Sequence, residues 1–465
     1  MTKQVDIAII GAGTAGLNAF RQVQKSTSNV VIINDGHYGT TCARVGCMPS
    51  KVLIEVANEF SKRKHFETYG IKGSENLTIK RADVMKYVRQ HRDWFMARVM
   101  DSFDRNSDKS IHGRARFVEP HILEVNGERI FANKIIIANG SRPIVPTEWR
   151  KLGNKLITTD ELFELEDLPD SLAVIGLGAI GSEIGQALAH LGIRVLGIEK
   201  LSSICGITDP NVNQVAINTL VQDFDIWTET EAHLSEGPNG QVQIETNDGH
   251  STTVDMVLAS LGRQPNWDNL GLEVLGLDIT KGLSGLVNPN TTQLADLPIF
   301  VAGDVASFKP ILHEAADEGM IAGYNATLDK VEAFKRRVPL RIAFTEPQTV
   351  VVGADWAELE GQDIVVGERN FKIQGRTRIM DRNYGLLRVY ADRQTGRLLG
   401  SEMMIPDGEY IGHFLAMAIE NQLTVRDVMV TPFYHPTIIE GLDNALNGIL
   451  NQLESSHQGS ILRKL

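Results

Sequence analysis

The pattern of apolar and polar positions near the N-terminus is that of a short buried strand followed by a glycine-rich turn. Residues 5–10 are apolar except for Asp6 and lead into Gly-Ala-Gly-Thr-Ala-Gly at positions 11–16. A helical stretch follows, and a second apolar run at residues 30–33 ends at Asn34. Apolar runs of this length, bounded by turn residues, are typical of buried strands. The pattern therefore predicts a strand, a turn, a helix and a second strand.

The same pattern occurs a second time, far downstream. An apolar run at residues 172–175 leads into Gly-Leu-Gly-Ala-Ile-Gly, and the next apolar run spans residues 195–198. The polar residue that ends it, Glu199, lies 18 positions after the third glycine, as Asn34 does in the first copy. A shorter sequence repeat is also present, because residues 135–143 resemble residues 257–265. Two strand-turn-helix-strand units predict two doubly wound nucleotide-binding domains.

The remaining segments have different patterns. We expect a largely helical region at residues 58–107, and short strands at 113–134. In the C-terminal part we expect strands at 349–353, 363–371 and 385–390, and an amphipathic helix at 411–422. The predicted fold class is α/β, with two Rossmann-like domains and a C-terminal α+β domain. The predicted domains are the first nucleotide-binding domain in two parts (1–148 and 269–337), the second at 149–268, and the C-terminal domain at 338–465.

Composition and charge narrow the class of protein. With 465 residues, of which 42% are hydrophobic, the chain can bury several cores. Its net charge of -12 argues against a nucleic-acid partner. Its N-terminal apolar run is too short for a signal sequence, and no apolar stretch is long enough to span a membrane, so we expect a cytoplasmic protein without membrane association. We expect the basic run Lys335-Arg336-Arg337 to be a solvated surface.

Each glycine of the two turns has a mechanical role in dinucleotide binding. The first allows the tight turn, the second lets the backbone approach a pyrophosphate, and the third permits close packing of helix on strand. Because each turn follows a strand and opens a helix, both are interpreted as dinucleotide sites. Glu199 favours NAD over NADP, since a carboxylate accepts hydrogen bonds from ribose hydroxyls and repels a 2′-phosphate. Asn34 can accept a similar bond in the first copy.

Two of the chain's three cysteines, Cys42 and Cys47, lie five positions apart, directly after the first unit. The residues that follow predict a helix beginning near Met48 or Pro49, which places Cys47 at or just before a helix N-terminus. There the helix dipole lowers a thiol pKa and favours the thiolate. An isolated pair at this spacing would be interpreted as two inert thiols, but the neighbouring dinucleotide turn and Lys51 favour a redox-active pair. Cys205 is expected to be a structural thiol.

A proton acceptor for such a dithiol is found near the other end of the chain. His435 is followed five positions later by Glu440. Histidine suits proton transfer from a thiol because its ordinary pKa is near 6.5. Glu440 would fix the tautomer of the imidazole and raise its basicity. The remaining histidines have no ligand-like spacing, so no metal site is predicted.

Taken together, these residues resemble those of the dimeric pyridine nucleotide–disulfide oxidoreductases over almost the whole chain. The segments that carry the resemblance are residues 11–16, 42–51, 176–183, 262–266, 299–305, 312–315 and 435–440. The chain departs from the family's usual residues at Asn34, Thr40, Asn139 and Gln348, where the family has Glu, Gly, Thr and Glu. None of these departures affects the two cysteines, Lys51 or the pair of His435 and Glu440.

The resemblance implies FAD and NAD as cofactors, and a homodimer whose active site is shared between subunits. The residues implied for FAD are Gly11, Gly13, Gly16, Asn34, Asp35, Thr41, Gly140, Asp304, Leu312 and His313. The residues implied for NAD are Gly176, Gly178, Ile180, Gly181, Glu183, Glu199 and Gly262. Implied catalytic residues are Cys42, which exchanges with substrate, Cys47, which faces the flavin, Lys51, and the pair His435 and Glu440 of the partner subunit.

The activity implied is oxidation of a dihydrolipoyl dithiol, with NAD+ as the final electron acceptor. A lipoyl domain of a 2-oxoacid dehydrogenase complex is one candidate for the partner that carries this dithiol. Two alternatives stay open, namely an NAD(P)H-dependent reductase of another small disulfide and a flavoprotein redox sensor. A glutathione-type reductase is disfavoured because Glu199 argues against NADPH, and a mercuric reductase because the chain lacks a C-terminal cysteine pair.

Overall fold

The N-terminal unit is a mixed sheet with helices on its faces. The computed structural model of the chain describes residues 2–104, 107–306 and 308–453. The elements up to residue 143 are β1 (Lys3–Ile10), α1 (Thr14–Val23), β2 (Val30–Asn34), α2 (Thr41–Val45), α3 (Cys47–Ser61), α4 (Arg81–Asp104), β3 (Ser110–His112), β4 (Arg116–Glu119), β5 (Ile122–Val125), β6 (Glu128–Ile137) and β7 (Ser141–Pro143). The strand order is β3-β2-β1-β6-β5-β4, parallel from β3 to β6 and antiparallel beyond. The side chains of β1 and β2 are mainly Val and Ile and are buried on both faces, as parallel strands require.

The second unit repeats this design with an all-parallel sheet. Its elements are β8 (Leu156–Ile157), α5 (Thr159–Leu162), β9 (Ser171–Ile175), α6 (Ala179–His190), β10 (Arg194–Ile198), α7 (Pro210–Leu220), β11 (Asp225–Trp227), β12 (Ala232–Glu236), β13 (Val242–Thr246), β14 (Ser251–Val254), β15 (Met256–Ala259) and β16 (Arg263–Pro265). The parallel sheet has the order β11-β10-β9-β15-β8, and β12 to β14 form a separate antiparallel sheet. The predicted internal duplication is therefore present in the fold.

The chain then returns to the first sheet. Strand β17 (Ile299–Val301) pairs in parallel with β6, and α8 (Leu312–Ala326) packs along α1. The two helices meet backbone to backbone, because a Cβ at Gly319 would lie 2.2 Å from Ala15 O and one at Gly323 would lie 2.6 Å from Ala19 O. The first unit is thus completed by residues that follow the whole second unit.

The C-terminal unit is an antiparallel sheet covered by helices. Its elements are β18 (Leu340–Ala343), β19 (Gln348–Gly353), α9 (Trp356–Leu359), β20 (Ile364–Asn370), α10 (Gly375–Ile379), β21 (Leu386–Asp392), β22 (Leu398–Ile405), α11 (Gly408–Glu420), α12 (Val425–Met429) and α13 (Glu440–Leu450). The strand order is β18-β19-β22-β21-β20. Three of these strands and α11 match sequence predictions, whereas β18 and β22 were not predicted. The α/β class with a C-terminal α+β unit is confirmed, and the predicted domain boundaries stay predictions.

Two further expectations concern the basic run at residues 335–337 and the thiol of Cys205. The basic run is solvated only at Lys335 and Arg337, because Arg336 is largely buried and pairs with the buried carboxylates of Glu314 and Glu318. Burial raises the pKa of Cys205 to about 11, as expected for an inert structural thiol. Within the described ranges, no helix is long and apolar enough to cross a membrane.

Candidate active site

A cleft of about 1030 Å³ opens where the two nucleotide-binding units meet. Its wall brings together ten of the residues predicted from the sequence, which are Gly13, Thr41, Cys42, Cys47, Lys51, Gly140, Ile180, Glu183, Asp304 and Leu312. Sites that bind small molecules are typically clefts in which a few polar groups converge on a largely apolar wall. The cleft is therefore the candidate active site.

The two cysteines lie at the junction of two helices in this cleft. Cys42 belongs to α2, and Cys47 is the first residue of the 15-residue helix α3. Gly46 between them has little room for a side chain, because a Cβ there would lie 3.0 Å from Thr41 O. Both are free thiols in the structure. A hydrogen bond from the Cys42 thiol, followed by the charge of Lys51, lowers the pKa of Cys47 to about 7, whereas the pKa of Cys42 is raised.

Lys51, one turn along α3 from Cys47, forms an ion pair across the boundary between the units. Its Nζ lies 2.8 Å from Oε2 of Glu183 on α6. The Glu183 side chain is only 4% exposed, and its Oε1 accepts a bond of 2.6 Å from the N–H of Phe344 in the C-terminal unit. All three units of the chain therefore meet at one carboxylate.

The glycine-rich turns leave space where the predicted cofactors would lie. A Cβ at Gly16 would lie 1.9 Å from Gly11 O, and one at Gly181 would lie 1.9 Å from Gly176 O, so packing explains these glycines. A Cβ at Gly13 or Gly178 would meet no atom of the described residues within 4 Å. Packing therefore does not explain why Gly13 and Gly178 are glycines, whereas the close approach of a pyrophosphate would. Both turns therefore fit the predicted dinucleotides.

The polar residues that end the second strand of each unit hold the neighbouring glycine turn. Asn34 Oδ1 accepts from the N–H of Ala12 at 3.2 Å, and Glu199 Oε2 accepts from the N–H of Leu177 at 2.6 Å. Glu199 Oε1 also accepts from the N–H of Leu201 at 3.0 Å. The next residue after Asn34, Asp35, is exposed and lies 3.8 Å from Arg114.

A polar chain that joins the predicted Asp304 to two residues not predicted from the sequence, Ser141 and Arg263, lines the same cleft. The guanidinium of Arg263 donates to Ser141 Oγ and to Ser141 O, each at 2.8 Å, and Ser141 Oγ donates to Asp304 Oδ2 at 2.6 Å. Ser141 and Arg263 lie in the repeated segments 135–143 and 257–265, in which only Gly140 and Gly262 had been predicted to bind cofactors. The pairing of β7 with β16 brings the two segments together, and that repeat was the available signal.

Helix α8 begins at the edge of the cleft. Leu312 is its first residue and lines the wall, whereas His313 does not. The first N–H groups of a helix have no partner within the helix, so this end favours an acceptor or a negative charge. Of the two residues implied for FAD here, Leu312 lies in the cleft wall and His313 does not, and their role toward a flavin stays a prediction.

The predicted proton acceptor lies outside the cleft of its own protomer. His435 Nδ1 is 2.8 Å from Glu440 Oε1, and the His435 side chain is 80% exposed. Glu440 Oε2 accepts from the N–H of Thr437 at 2.9 Å. This bond and the imidazole lower the pKa of Glu440. The imidazole is thus oriented by a charged carboxylate and presented outward.

The other predicted residues of the nucleotide-binding units do not line the cleft. They are Gly11, Gly16, Asn34, Asp35, His313, Gly176, Gly178, Gly181, Glu199 and Gly262. Among the residues that the structure describes, no group of three or more His, Cys, Asp or Glu side chains is arranged to hold a metal ion.

Comparison with known families gives two matches along the chain. Residues 5–319 match the family described as "Pyridine nucleotide-disulphide oxidoreductase", and residues 340–446 match "Pyridine nucleotide-disulphide oxidoreductase, dimerisation domain". The curated relatives include proteins named dihydrolipoyl dehydrogenase. The one from Geobacillus stearothermophilus is 30% identical over 94% of each chain, and the one from Haloferax volcanii is 29% identical over 96% of each.

Solved structures share the fold at lower identity. The HOCl-induced flavoprotein disulfide reductase RclA from Escherichia coli has a TM-score of 0.81 and 23% identity, and covers 96% of this chain and 99% of its own. LpdA from Mycobacterium tuberculosis has a TM-score of 0.83 and 21% identity, over 95% of this chain and 99% of its own.

Proposed function

Because the chain belongs to the pyridine nucleotide-disulphide oxidoreductase family, whose members use FAD and NAD(P), we propose that it oxidises a dihydrolipoyl dithiol and delivers the electrons to NAD+. The observation that carries the proposal is that Cys42, Cys47, Lys51 and Gly13 of the first glycine turn line one cleft. The names of the relatives that match over nearly the full length of this chain support the choice of dithiol.

The two cysteines have different roles in this proposal. A substrate thiolate attacks the Cys42 sulfur of the Cys42–Cys47 disulfide, forming a mixed disulfide and releasing Cys47 as the thiolate. The second substrate thiol then displaces Cys42, so the substrate leaves as a disulfide and both cysteines are reduced. The lowered pKa of Cys47 makes it the better leaving group. The first glycine turn, Asp304 and Leu312 would hold FAD, which would supply a two-electron acceptor for the reduced pair and a hydride donor for NAD+.

His435 and Glu440 of the partner subunit would take the protons of the incoming thiols. Two observations support this assignment. The imidazole points outward from its own protomer and is held by Glu440, and the segment that carries both residues matches a dimerisation domain at least as far as residue 446. The arrangement requires a homodimer with two shared sites.

NAD is proposed rather than NADP on the basis of the charges around Glu199. Its carboxylate is held at the strand end by the N–H groups of Leu177 and Leu201, where it would repel a 2′-phosphate. The neighbouring cation, Lys200, is paired with Glu231 and so is not free to bind a phosphate.

The test is steady-state reduction of NAD+ by dihydrolipoamide, compared with oxidation of NADPH by glutathione disulfide. We expect turnover only in the first assay. Turnover only in the second would identify a small-disulfide reductase, and no turnover in either with FAD bound would favour a redox sensor. Addition of a purified lipoyl domain as substrate tests the further proposal that the dithiol is protein-borne.

A further inference from the structure

Phe344 contacts both members of the ion pair next to the dithiol. It directly follows strand β18, and its N–H donates to Glu183 Oε1 at 2.6 Å. The Lys51 ammonium lies over the face of its ring, 4.8 Å from the centroid. The negative face of an aromatic ring attracts a cation at this distance. One residue of the C-terminal unit therefore holds the cation by its ring and the anion by its backbone.

Lys51 lies in the wall between two clefts, and the second cleft offers it other partners. The Lys51 side chain is 34% exposed and lines both cavities. The acidic residues that line the second cleft are Glu55, Glu59, Glu346, Asp407 and Glu409, and the basic ones are Lys62, His65, His190 and Arg382. Of the carboxylates, Glu346 and Asp407 are paired with Arg382, and Glu59 is paired with Lys62. Glu55 and Glu409 have no ion pair within the described part of the chain and could attract Lys51 away from the dithiol.

We propose that Phe344 is a positioning residue. Its ring lines the second cleft and holds the Lys51 ammonium in register with Glu183, rather than with the unpaired carboxylates of that cleft. The proposal rests on the proposed function only in that it takes Cys47 to be the flavin-facing thiol. The placement matters because the charges of Lys51 and Glu183 act on Cys47 in opposite directions. Lys51 favours the Cys47 thiolate, and Glu183 opposes it.

The test uses the FAD-loaded protein in a Cys42→Ser background, so that Cys47 is the single thiol beside the flavin. The readout is the long-wavelength absorbance that a thiolate gives in contact with oxidised flavin, followed against pH. Phe344→Leu keeps an apolar side chain but removes the ring. We expect its absorbance midpoint to rise by about half a pH unit, as loss of a cation–π contact implies. Phe344→Tyr and Phe344→Trp restore a ring face and should keep the midpoint of the parent.

Phe334→Leu is the matched control. Phe334 is also half-buried, but its ring meets Tyr324 at 5.4 Å instead of Lys51. An unchanged midpoint in Phe344→Leu, or an equal shift in the Tyr and Trp variants, would overturn the proposal. If Phe344→Leu does not retain FAD, Phe344→Met and the Tyr variant provide the same comparison. The assay contains no dithiol substrate, so failure of the dihydrolipoamide assay would leave this result standing.

Discussion

At the scale of single side chains, the dithiol is asymmetric because its two members have different neighbours. Cys47 begins a long helix and lies near the Lys51 charge, while the Cys42 thiol donates a hydrogen bond to it. The position of Cys47 at a helix start could be predicted from sequence, because local residues determine it. The partner of Lys51 lies 132 positions away and Phe344 is 161 positions beyond that partner, so no local sequence pattern predicts either contact.

Removal of Cys42 should separate substrate exchange from electron entry. Cys42→Ser should abolish turnover of dihydrolipoamide, because no mixed disulfide can form. FAD should stay bound and still be reduced by NADH, since neither step uses the Cys42 sulfur. Flavin absorbance during anaerobic NADH titration measures this. Loss of FAD from the variant would mean that the cysteine pair is structural.

The reduced protein should show a reactive thiol near neutral pH. Cys47 has a pKa lowered to about 7, so its thiolate fraction rises with pH and is half at that value. An ordinary thiol with a pKa of about 8.5 is only ~3% ionised at pH 7. The rate of iodoacetamide alkylation, with modified residues assigned by mass spectrometry, should therefore have its midpoint near 7 for Cys47. Cys205, with its raised pKa, serves as the unreactive internal control.

At the scale of elements, the strand-turn-helix-strand units were predictable because local pattern and geometry agree. The strands predicted at residues 5–10 and 195–198 are found within two residues of their predicted ends. Strand β22 was missed because Gly400, Ser401 and Glu402 interrupt its apolar run, although all three are buried and the backbone of Ala354 approaches Gly400 closely. Such a strand is determined by its neighbours in the sheet rather than by its own pattern.

The second glycine of the downstream turn should matter for NAD binding and little for folding. Gly178→Ala adds a methyl group that meets no described residue but occupies the approach of the pyrophosphate. We expect the Kd for NADH to rise at least about tenfold, with an unchanged melting temperature. Gly181→Ala should instead destabilise the fold, since its Cβ would lie 1.9 Å from Gly176 O.

Gly285→Ala is the control for both glycine substitutions. It also has open space within the described residues, and it lies outside the turns. It should change neither NADH affinity nor melting temperature. Isothermal titration with NADH and differential scanning calorimetry give the two quantities. If Gly178→Ala and Gly285→Ala weakened NADH binding equally, the assignment of the downstream glycine turn to NAD would be contradicted.

At the scale of the whole molecule, buried polar contacts join the second unit to the C-terminal sheet. Glu402 is fully buried and accepts from the N–H groups of Thr208, Asp209 and Trp356, at 2.8, 3.0 and 2.8 Å. Asp209, also fully buried, accepts from the Tyr390 hydroxyl at 2.8 Å and pairs with Arg388. None of these contacts was predicted, because each joins residues that are distant in sequence.

Loss of the Glu402 carboxylate should weaken the whole molecule. Glu402→Ala leaves several buried N–H groups without an acceptor, each costing about 1–3 kcal/mol. We expect the melting temperature to fall by about 5 °C or more. Glu360→Ala removes an exposed carboxylate from the same unit and should change the melting temperature by less than about 1 °C. A similar small shift in both variants would show that the buried contacts contribute little.

The proposal that the active site is shared between subunits predicts complementation between two inactive variants. Cys42→Ser and His435→Gln homodimers should each be nearly inactive. In a mixed dimer one site carries both changes and the other carries neither. Random pairing on co-expression should then restore about a quarter of the parental activity, because half of the dimers are mixed and each has one intact site. Absence of recovery in verified mixed dimers would place both residues in the same protomer's site.

The pairing of β17 with β6 has a consequence for synthesis on the ribosome. The first sheet has β6 by residue 137, yet its remaining partner spans Ile299–Val301. At about 5–20 residues per second, roughly ten to thirty seconds separate these strands during translation. The second unit is continuous in sequence and can fold within that interval. During this interval the edge of β6 that pairs with β17 has unpaired backbone groups. The nascent chain is therefore most exposed to wrong strand pairing before α8 is synthesised.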